Sequence, residues 1–209
     1  MKISALIIAR NEEKKIENTL KSLNFVNEIV VILDRTTDKT ETICKKYTKK
    51  IFKGSWELEG ERRNFGIKNC KYTWILEIDA DEIINQKLSL EISNAIKSKT
   101  FDYFFIKVVN YVGKKSIKYG WMACMAPDGR FSLFKRKNKY WMDGRVHPSY
   151  KIIGRKGNPL ENCIIHKFAN NISELLNKFN RNTSFNAADL IEQNYNLEKL
   201  FSIRKLLSR

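Results

Sequence analysis

Trp74-Ile75-Leu76-Glu77-Ile78-Asp79-Ala80-Asp81-Glu82 is an apolar run that ends in acidic residues. Its first five residues favour a strand buried on both faces of a sheet, where the alternation of polar and apolar residues is lost. Asp79 and Asp81 are two apart, so on an extended backbone their carboxylates point the same way. Two oxygen ligands that face one spot can hold Mg²⁺ or Mn²⁺. The alternative is that the acids only cap the next helix and solvate a turn.

The composition limits the class of protein and its partners. The chain has 209 residues, with 39 Lys and Arg against 23 Asp and Glu, for a net charge of +16. This surplus favours an anionic partner, which can be nucleic acid, an acidic membrane surface or a phosphorylated substrate; part of it can also be solvated surface without a partner. No apolar run approaches the ~18 residues of a membrane span, and no secretory signal is evident, so we expect a cytoplasmic protein. The four cysteines lack C-x-x-C spacing, which favours free thiols: Cys44, Cys70, Cys124 and Cys163.

Strand-like and helix-like segments alternate through the first half of the chain. Strands are predicted near 3–9, 28–33, 50–53 and 74–78, and helices from 11, after 38, near 60–70 and near 88–96. This alternation predicts an α/β fold with a mostly parallel sheet between helix layers. Ligands in such sheets bind beyond the carboxyl ends of the strands. Asp34, Asp79 and Asp81 all lie at those ends.

The pattern changes after Glu82. Further strands are predicted near 102–109, 130–135, 146–152 and 163–168, with an irregular segment at 111–127. The C-terminal part is predicted to be helical, with one apolar stripe of Ile172, Leu175, Leu176 and Phe179 and a second of Leu197, Leu200 and Phe201. The second stripe lies beside basic residues. It can lie on an anionic membrane surface or pack back on the domain.

Phosphate-binding motifs are absent from the sequence. No G-x-G-x-x-G follows the first strand, and no G-x-x-x-x-G-K occurs. Arg63 opens a helix near the edge that carries the acids, where it can donate charge-assisted hydrogen bonds to a diphosphate. The alternative is that Arg62 and Arg63 are two surface cations on an exposed helix face.

A series of short motifs extends this pattern over nearly the whole chain. They are Ile7-Ile8-Ala9-Arg10-Asn11-Glu12, Glu28 to Asp34 with Thr37 to Thr40, Arg63-Asn64-Phe65-Gly66, Trp74 to Glu82, Pro127-Asp128 with Leu133 to Arg136, Arg145-Val146-His147, and Asn158-Pro159-Leu160 before Ile165-His166. In this order and spacing they resemble family 2 glycosyltransferases of the GT-A fold, in the branch of the lipopolysaccharide core β-1,4-glucosyltransferases. The resemblance implies a GT-A domain over 1–170, with a nucleotide-sugar-binding half at 1–99 and a smaller mixed acceptor-side half at 100–170. A helical appendage follows at 171–209.

The resemblance implies a role for each matching residue. The nucleotide-sugar contacts would be Ala9, Arg10, Asp34, Arg63, Asp79 and Arg130. Asp81, with Asp79, would hold a divalent metal, Mn²⁺ or Mg²⁺, that bridges the phosphates of a UDP-sugar. Asp128 would be the general base of an inverting displacement, and its alternative is a turn residue in Pro127-Asp128-Gly129. The implied acceptor is a glycolipid or other envelope glycan, the donated sugar a hexose such as glucose, and the implied location the inner face of the cytoplasmic membrane.

The sequence departs from the family at three places. The family's Arg before Leu-Phe is Ser132 here, and Arg130, two residues earlier on the same strand face, can replace it. The family's V-H-E is Val146-His147-Pro148, so that acid is missing. The segment from Gly120-Trp121 to Pro127 is longer than usual, and Trp121 is a candidate for stacking on a sugar. His147 and His166 are both candidates to bind the metal or donate to phosphate, with His147 favoured.

Two other classes of function compete with this interpretation, and a degenerate transferase that binds UDP without turnover is a third alternative. A phosphohydrolase or phosphotransferase would use the D-x-D as nucleophile and acid, but such enzymes usually carry it on their first strand. A basic nucleic-acid-binding module would explain the positive charge, and its binding would weaken steeply with salt and ignore UDP. The resemblance favours the transferase, and we expect no nucleic-acid partner.

Overall fold

The computed structural model describes residues 1–117, 128–145 and 148–192. The strands in these ranges are β1 (Ile3–Ala9), β2 (Glu28–Asp34), β3 (Ile51–Gly54), β4 (Trp74–Asp79), β5 (Glu82–Ile83), β6 (Tyr103–Val112), β7 (Lys115–Ser116), β8 (Gly129–Lys135), β9 (Lys139–Trp141), β10 (Tyr150–Ile152) and β11 (Cys163–Ala169). The helices are α1 (Ile16–Ser22), α2 (Thr40–Cys44), α3 (Glu59–Asn69), α4 (Gln86–Ala95) and α5 (Ile172–Glu192). The predicted α/β architecture is confirmed.

One sheet organises the described residues, in the order β3-β2-β1-β4-β8-β6-β11-β5, with β7 paired to β6 and a separate ribbon of β10 and β9. The first four strands of this order are parallel to one another. β8 runs antiparallel to β4 and to β6, while β11 runs parallel to β6 and antiparallel to β5. The sheet is therefore parallel from β3 to β4 and mixed beyond β4, as expected for this class of fold.

The core lies on both faces of this sheet. One apolar cluster joins α1 and α4 to the sheet, and a second joins α3 and the β9–β10 ribbon to its other face. β1 is buried along its whole length, and β4 is buried up to Asp79. A strand covered on both faces has no polar face to alternate with. This explains why these strands read as continuous apolar runs.

Three details differ from the sequence-based expectation. Asn11 has a positive φ of 54°, so the chain turns at the end of β1, and α1 begins only at Ile16. The first stripe of the C-terminal helix faces the core only in part, since Leu175 is 1% exposed but Ile172 and Leu176 are 68% and 50% exposed. The short strands β5, β7 and β9 were not predicted, because two or three residues carry too little pattern to be recognised. The second stripe lies outside the described residues.

Two other expectations concern cysteines and membrane spans. Cys44, Cys70 and Cys163 are free thiols, as the sequence predicts, and Cys124 lies outside the described ranges. Within those ranges the structure has no helix that combines the length and the apolar character needed to cross a bilayer.

Candidate active site

The carboxyl ends of three neighbouring strands meet at one edge of the sheet. Ile8 of β1 pairs with Asp79 of β4, and Ala9 pairs with Leu33, the residue before Asp34. Ala9 is buried, and its carbonyl oxygen accepts a hydrogen bond from the Thr36 hydroxyl at 3.4 Å. Arg10, the next residue, is exposed. The sheet register therefore brings Ala9, Asp34 and Asp79 to the same edge.

Asp34 is a buried carboxylate with several donors. Its side chain accepts from Nε and Nη2 of Arg35, both at 3.1 Å, from the Trp56 amide at 3.1 Å and from Nη1 of Arg62 at 2.6 Å. Burial alone would raise the pKa of Asp34, but the Arg35 and Trp56 hydrogen bonds and the Arg62 charge lower that pKa below its ordinary value. Asp34 is thus ionised, and it fixes two guanidinium groups at the carboxyl end of β2.

Arg62 and Arg63 are not two exposed surface cations. Arg62 reaches Asp34, and Arg63 turns to the other side of α3 towards β4. Arg63 pairs with Glu59 at 2.6 Å, with Glu77 at 3.0 Å and with Asp79 at 3.4 Å. The two consecutive arginines therefore bind different acids, Arg62 on β2 and Arg63 mainly on β4, the strand on the other side of β1.

Asp79 lies between two arginines. Besides Arg63, Nη2 of Arg130 on β8 lies 3.5 Å from the Asp79 carboxylate. Arg130 also donates two hydrogen bonds to the Glu82 carboxylate, at 2.7 and 2.5 Å. Burial opposes ionisation of Asp79, but the charges of Arg130 and Arg63 outweigh it and lower the pKa of this carboxyl. Its side chain is still 33% exposed, so it is accessible from solution. Arg130 thus reaches the D-x-D from the strand where the sequence places it.

A buried ion pair lies beneath Asp79. Glu77, two residues earlier on β4, accepts from Nζ of Lys139 at 2.8 Å and from Nη1 of Arg63 at 3.0 Å. Burial lowers the pKa of Lys139 to about 8, although Glu77 favours its charged form. Burial also opposes ionisation of Glu77, but Lys139 and Arg63 lower its pKa. Both groups are therefore charged at neutral pH.

Asp81 faces a different set of partners from Asp79. Asp79 is the last residue of β4, whereas Ala80 and Asp81 form a turn before β5, so the extended backbone assumed for the D-x-D ends at Asp79. Asp81 is 8% exposed, and its carboxylate lies 3.1 Å from Nε2 of His166, 3.4 Å from Nζ of Lys178 and 3.7 Å from Nζ of Lys15. Burial opposes ionisation of Asp81, but the His166 hydrogen bond and charge lower its pKa.

Sheet pairing brings His166 to the D-x-D. In β11, His166 pairs with Glu82 of β5 and with Asn110 of β6, and the next amide, of Lys167, donates to the Asp81 carbonyl at 2.9 Å. Its Nδ1 lies 2.7 Å from the Asn110 amide oxygen, which can only accept. Nδ1 therefore carries the proton, and in the neutral ring Nε2 turns its lone pair to Asp81. Burial lowers the pKa of His166, but the hydrogen bond and the charge of Asp81 raise it by more, so the pKa lies above its ordinary value.

The pair of Asp81 and His166 fits a divalent cation. A lone pair and a carboxylate repel each other unless the ring is protonated or a cation lies between them, and a fixed Nδ1–H partner is what orients metal-binding histidines. Mn²⁺ accepts both imidazole and carboxylate ligands. Among the described residues no three His, Cys, Asp or Glu side chains form a metal-binding group. A cation here would therefore complete its shell with oxygen atoms of substrate or water.

The comparisons with known proteins identify the family. The sequence model of Glycosyl transferase family 2 matches residues 4–162. The chain belongs to this family of glycosyltransferases. An uncharacterized glycosyltransferase of Rickettsia typhi, RT0209, is 29% identical over 207 residues, which cover 92% of this chain and 69% of the relative. The lipopolysaccharide core biosynthesis glycosyltransferase LpsC of Rhizobium meliloti is 24% identical over 200 residues, 91% of this chain and 72% of LpsC.

Two further matches cover less than two thirds of the other protein's length. A glycosyltransferase of Rickettsia bellii is 36% identical over 104 residues, which cover 49% of this chain and only 35% of that relative. The crystal structure of Staphylococcus aureus TarS superimposes with a TM-score of 0.58 at 19% identity, covering 80% of this chain and 60% of the TarS chain. A likeness at this identity shows the fold. Together with the family, it confirms the predicted GT-A fold.

The segment that the sequence predicts to face the acceptor lies only partly within the described residues. Asp128 is exposed and directly precedes β8, and its carbonyl oxygen accepts from the Val108 amide at 3.0 Å. Arg130, two residues later, reaches Asp79, so the start of β8 approaches the D-x-D. Trp121, Pro127 and His147 lie outside the described residues.

Sequence reasoning missed several residues of this site. Glu82 was quoted with the D-x-D but given no role, although it holds Arg130, and Lys139, Lys15 and Lys178 were not considered. Glu82 had a visible signal, since it follows two acids at a strand end. The three lysines had no such signal in the sequence, because their contacts with the acids depend on distant parts of the chain.

Proposed function

We propose that this chain is a metal-dependent, inverting glycosyltransferase that moves a hexose from a UDP-sugar to an envelope glycan. The observation that carries the proposal is the convergence of Asp79, Asp81 and His166 with Arg63 and Arg130 at one sheet edge. This edge offers ligands for a cation and donors for a diphosphate, next to a strand end where a nucleoside can bind. The TarS structure in complex with UDP-GlcNAc has the same fold, with a TM-score of 0.54.

Different residues of the chain would bind the cation, the diphosphate and the nucleoside. Asp81 and His166 would hold the cation, which would supply positive charge to the diphosphate as UDP leaves. Arg63 and Arg130 would orient the phosphates and stabilise the charge that develops on them. The arginines around Asp34 would lie at the nucleoside end of the site. Each group is fixed by a hydrogen bond before substrate arrives, so little reorganisation is needed during the reaction.

Asp128 would act as the general base on the acceptor side. The acceptor hydroxyl oxygen would bond to the anomeric carbon from the face opposite UDP, and Asp128 would take the hydroxyl proton. The bond between the anomeric carbon and the diphosphate oxygen would break, and UDP would leave with the electron pair. One displacement of this kind inverts the anomeric configuration. The name of LpsC supports a lipopolysaccharide-core glycan as acceptor.

The decisive experiment is a thermal-shift screen with UDP, UDP-glucose, UDP-galactose and UDP-GlcNAc, each with Mn²⁺ or with EDTA. UDP compounds should raise Tm with Mn²⁺ and much less with EDTA, and ADP-glucose is the control for the base. The sugar that adds most to the shift identifies the donor. The absence of a shift with every UDP compound would refute the proposed donor class.

We also propose attachment to an anionic membrane surface, where a glycolipid acceptor would lie. The net charge of +16 and the exposed Ile172 and Leu176 of α5 support it. The protein should sediment with phosphatidylglycerol vesicles at low salt and less at high salt, because exposed charges are screened. Equal sedimentation with neutral phosphatidylcholine vesicles, or none at all, would contradict this.

A further inference from the structure

Lys139 is a fully buried lysine that the proposed chemistry does not use. Its side chain is 0% exposed, and Nζ donates to Glu77 at 2.8 Å and to the Phe131 carbonyl at 3.1 Å. Three aromatic rings surround the ammonium group, with Nζ 4.3–4.8 Å from the centroids of Phe134, Trp141 and Tyr150. This lysine lies on β9, in the two-stranded ribbon outside the main sheet.

A buried ion pair needs an explanation beyond stability. Removing two charges from water costs several kcal/mol, and a pair of apolar side chains of the same size often stabilises a core as well or better. The aromatic surroundings of Lys139 would accept such a side chain. The pair therefore points to a role in fixing the position of another group.

The contacts of Glu77 show which group that is. One carboxylate oxygen accepts from Lys139, and the other accepts from Nη1 of Arg63 at 3.0 Å. The other terminal nitrogen of Arg63, Nη2, lies 3.4 Å from Asp79 and 2.6 Å from Glu59, which also accepts from Nε at 2.7 Å. A continuous series of charged contacts thus runs from Lys139 through Glu77 and Arg63 to the first acid of the D-x-D.

We propose that Lys139 is a positioning residue for the donor site: by holding one oxygen of Glu77, it keeps Arg63 shared between Glu77 and Asp79. Without Lys139, both oxygens of Glu77 are open to Arg63, and guanidinium and carboxylate groups favour the bidentate arrangement. Arg63 then turns from Asp79 towards Glu77. The donor site loses a fixed cation, although Lys139 itself touches no substrate. This inference rests on the proposed binding of a UDP-sugar.

The test is calorimetric titration of UDP in the presence of Mn²⁺. Lys139→Met removes the charge and keeps the length and apolar character of the side chain, and we expect it to raise the Kd for UDP about tenfold, as for other residues that orient binding groups. Lys151→Met is the matched control, because Lys151 is an exposed lysine on the partner strand β10. It should leave the Kd unchanged.

A double-mutant cycle separates positioning from general damage. In an Arg63→Lys background the guanidinium group that contacts both Glu77 and Asp79 is already absent. Lys139→Met should therefore add no further increase in the Kd for UDP. Should Lys139→Met fail to fold, the pair Glu77→Gln with Lys139→Met removes both buried charges. It should fold and still bind UDP more weakly than the wild type.

The outcomes distinguish this inference from the proposed function. If the wild type binds UDP and Lys139→Met, or the charge-free pair, binds it equally well, the positioning role is wrong and the proposed function stands. An increase in Kd of the same factor in the wild-type and Arg63→Lys backgrounds also overturns it. If the wild type binds no UDP with Mn²⁺, both proposals fail.

Discussion

His166 and Asp81 meet across the end of the sheet, with Nε2 of the ring 3.1 Å from the carboxylate, while the other ring nitrogen lies 2.7 Å from the Asn110 amide oxygen. The three residues come from β11, the turn after β4, and β6. Asn110→Ala, which removes only the group that orients the ring, should weaken Mn²⁺ binding by about 10- to 100-fold, and His166→Ala, which removes the ligand itself, should weaken it more. Titration of Mn²⁺ in the presence of UDP measures both. Wild-type Mn²⁺ affinity in His166→Ala would falsify its role as a ligand.

Asp81→Ala should abolish turnover and metal-dependent UDP binding. The change removes the carboxylate on which His166, Lys178 and Lys15 converge; His166 and Lys178 lose this anion, and Lys15 keeps its pair with Glu174. A UDP titration with Mn²⁺ and with EDTA is the measurement. Glu161→Ala, at an exposed carboxylate, is the control. If Asp81→Ala kept the wild-type response to Mn²⁺, another acid would have to bind the cation.

Asp128→Asn should spare donor binding and slow turnover. The amide keeps the size of the side chain but cannot take a proton, and loss of a general base lowers kcat by about 10²- to 10⁴-fold. Steady-state kinetics with the donor found in the screen, together with a UDP titration, separates the two effects. Near-normal kcat in the variant would show that Asp128 is a turn residue and that the base lies elsewhere.

Glu12 should give the protein a stability that declines from acid to neutral pH. Burial and the nearby charge of Asp81 raise the pKa of Glu12 from 4.5 to about 7. Between these values the folded chain binds a proton that the unfolded chain has released. The resulting contribution to the free energy of unfolding is complete below pH 4.5 and is lost as the pH rises through 7.

Glu12→Gln stays neutral at every pH and should lose less stability than the wild type between pH 5 and pH 8. Urea unfolding in EDTA at the two pH values measures the difference. Glu57→Gln, at an exposed position, is expected to behave like the wild type. An identical decline in Glu12→Gln and wild type would mean that Glu12 is ionised throughout this range.

Gly60→Ala should destabilise the protein, although the same change in a helix usually stabilises it. A Cβ at Gly60 would overlap the carbonyl oxygen of Met142, which is backbone and cannot rotate away. The neighbouring Glu59 amide donates to the Gly144 carbonyl at 2.8 Å, so α3 is tied to this segment. We expect a loss of about 1–3 kcal/mol in the free energy of unfolding, measured in urea. Glu61→Ala, on the exposed side of α3, should cause little change.

Local sequence pattern was sufficient for the parallel half of the fold. β1 has the predicted bounds, and β2 and β4 end at the predicted acids, because long buried strands and turn-forming acids are signals carried by adjacent residues. The position of Arg63 near the acids also followed from order along the chain. Adjacent residues do not determine how β5 pairs with β11, so the sequence favoured His147, which lies outside the described residues, whereas His166 is the histidine that contacts Asp81.

The partners of each acid were also beyond local pattern. The strand alternation of Asp79 and Asp81 suggested one shared environment, but the turn at Ala80 gives the two carboxylates separate neighbours. The sequence does not distinguish Arg62 from a surface cation, because its contact with Asp34 depends on the packing of α3 against β2. No neighbouring residue marks Lys139 as buried, because its burial depends on how the β9–β10 ribbon packs on the sheet.

Lys15 links the two ends of the described chain. Its Nζ donates to the carbonyl oxygen of Lys167 at 3.0 Å, across 152 residues of sequence, and pairs with Glu174 at the start of α5. During synthesis the first βα units emerge from the ribosome long before these partners exist, and contacts so distant in sequence form slowly. We therefore expect the environment of Asp81 to be completed late in folding, after most of the sheet is in place. A nascent chain stalled before α5 would carry most of the sheet without Glu174 and Lys178, which pair with Lys15 and Asp81.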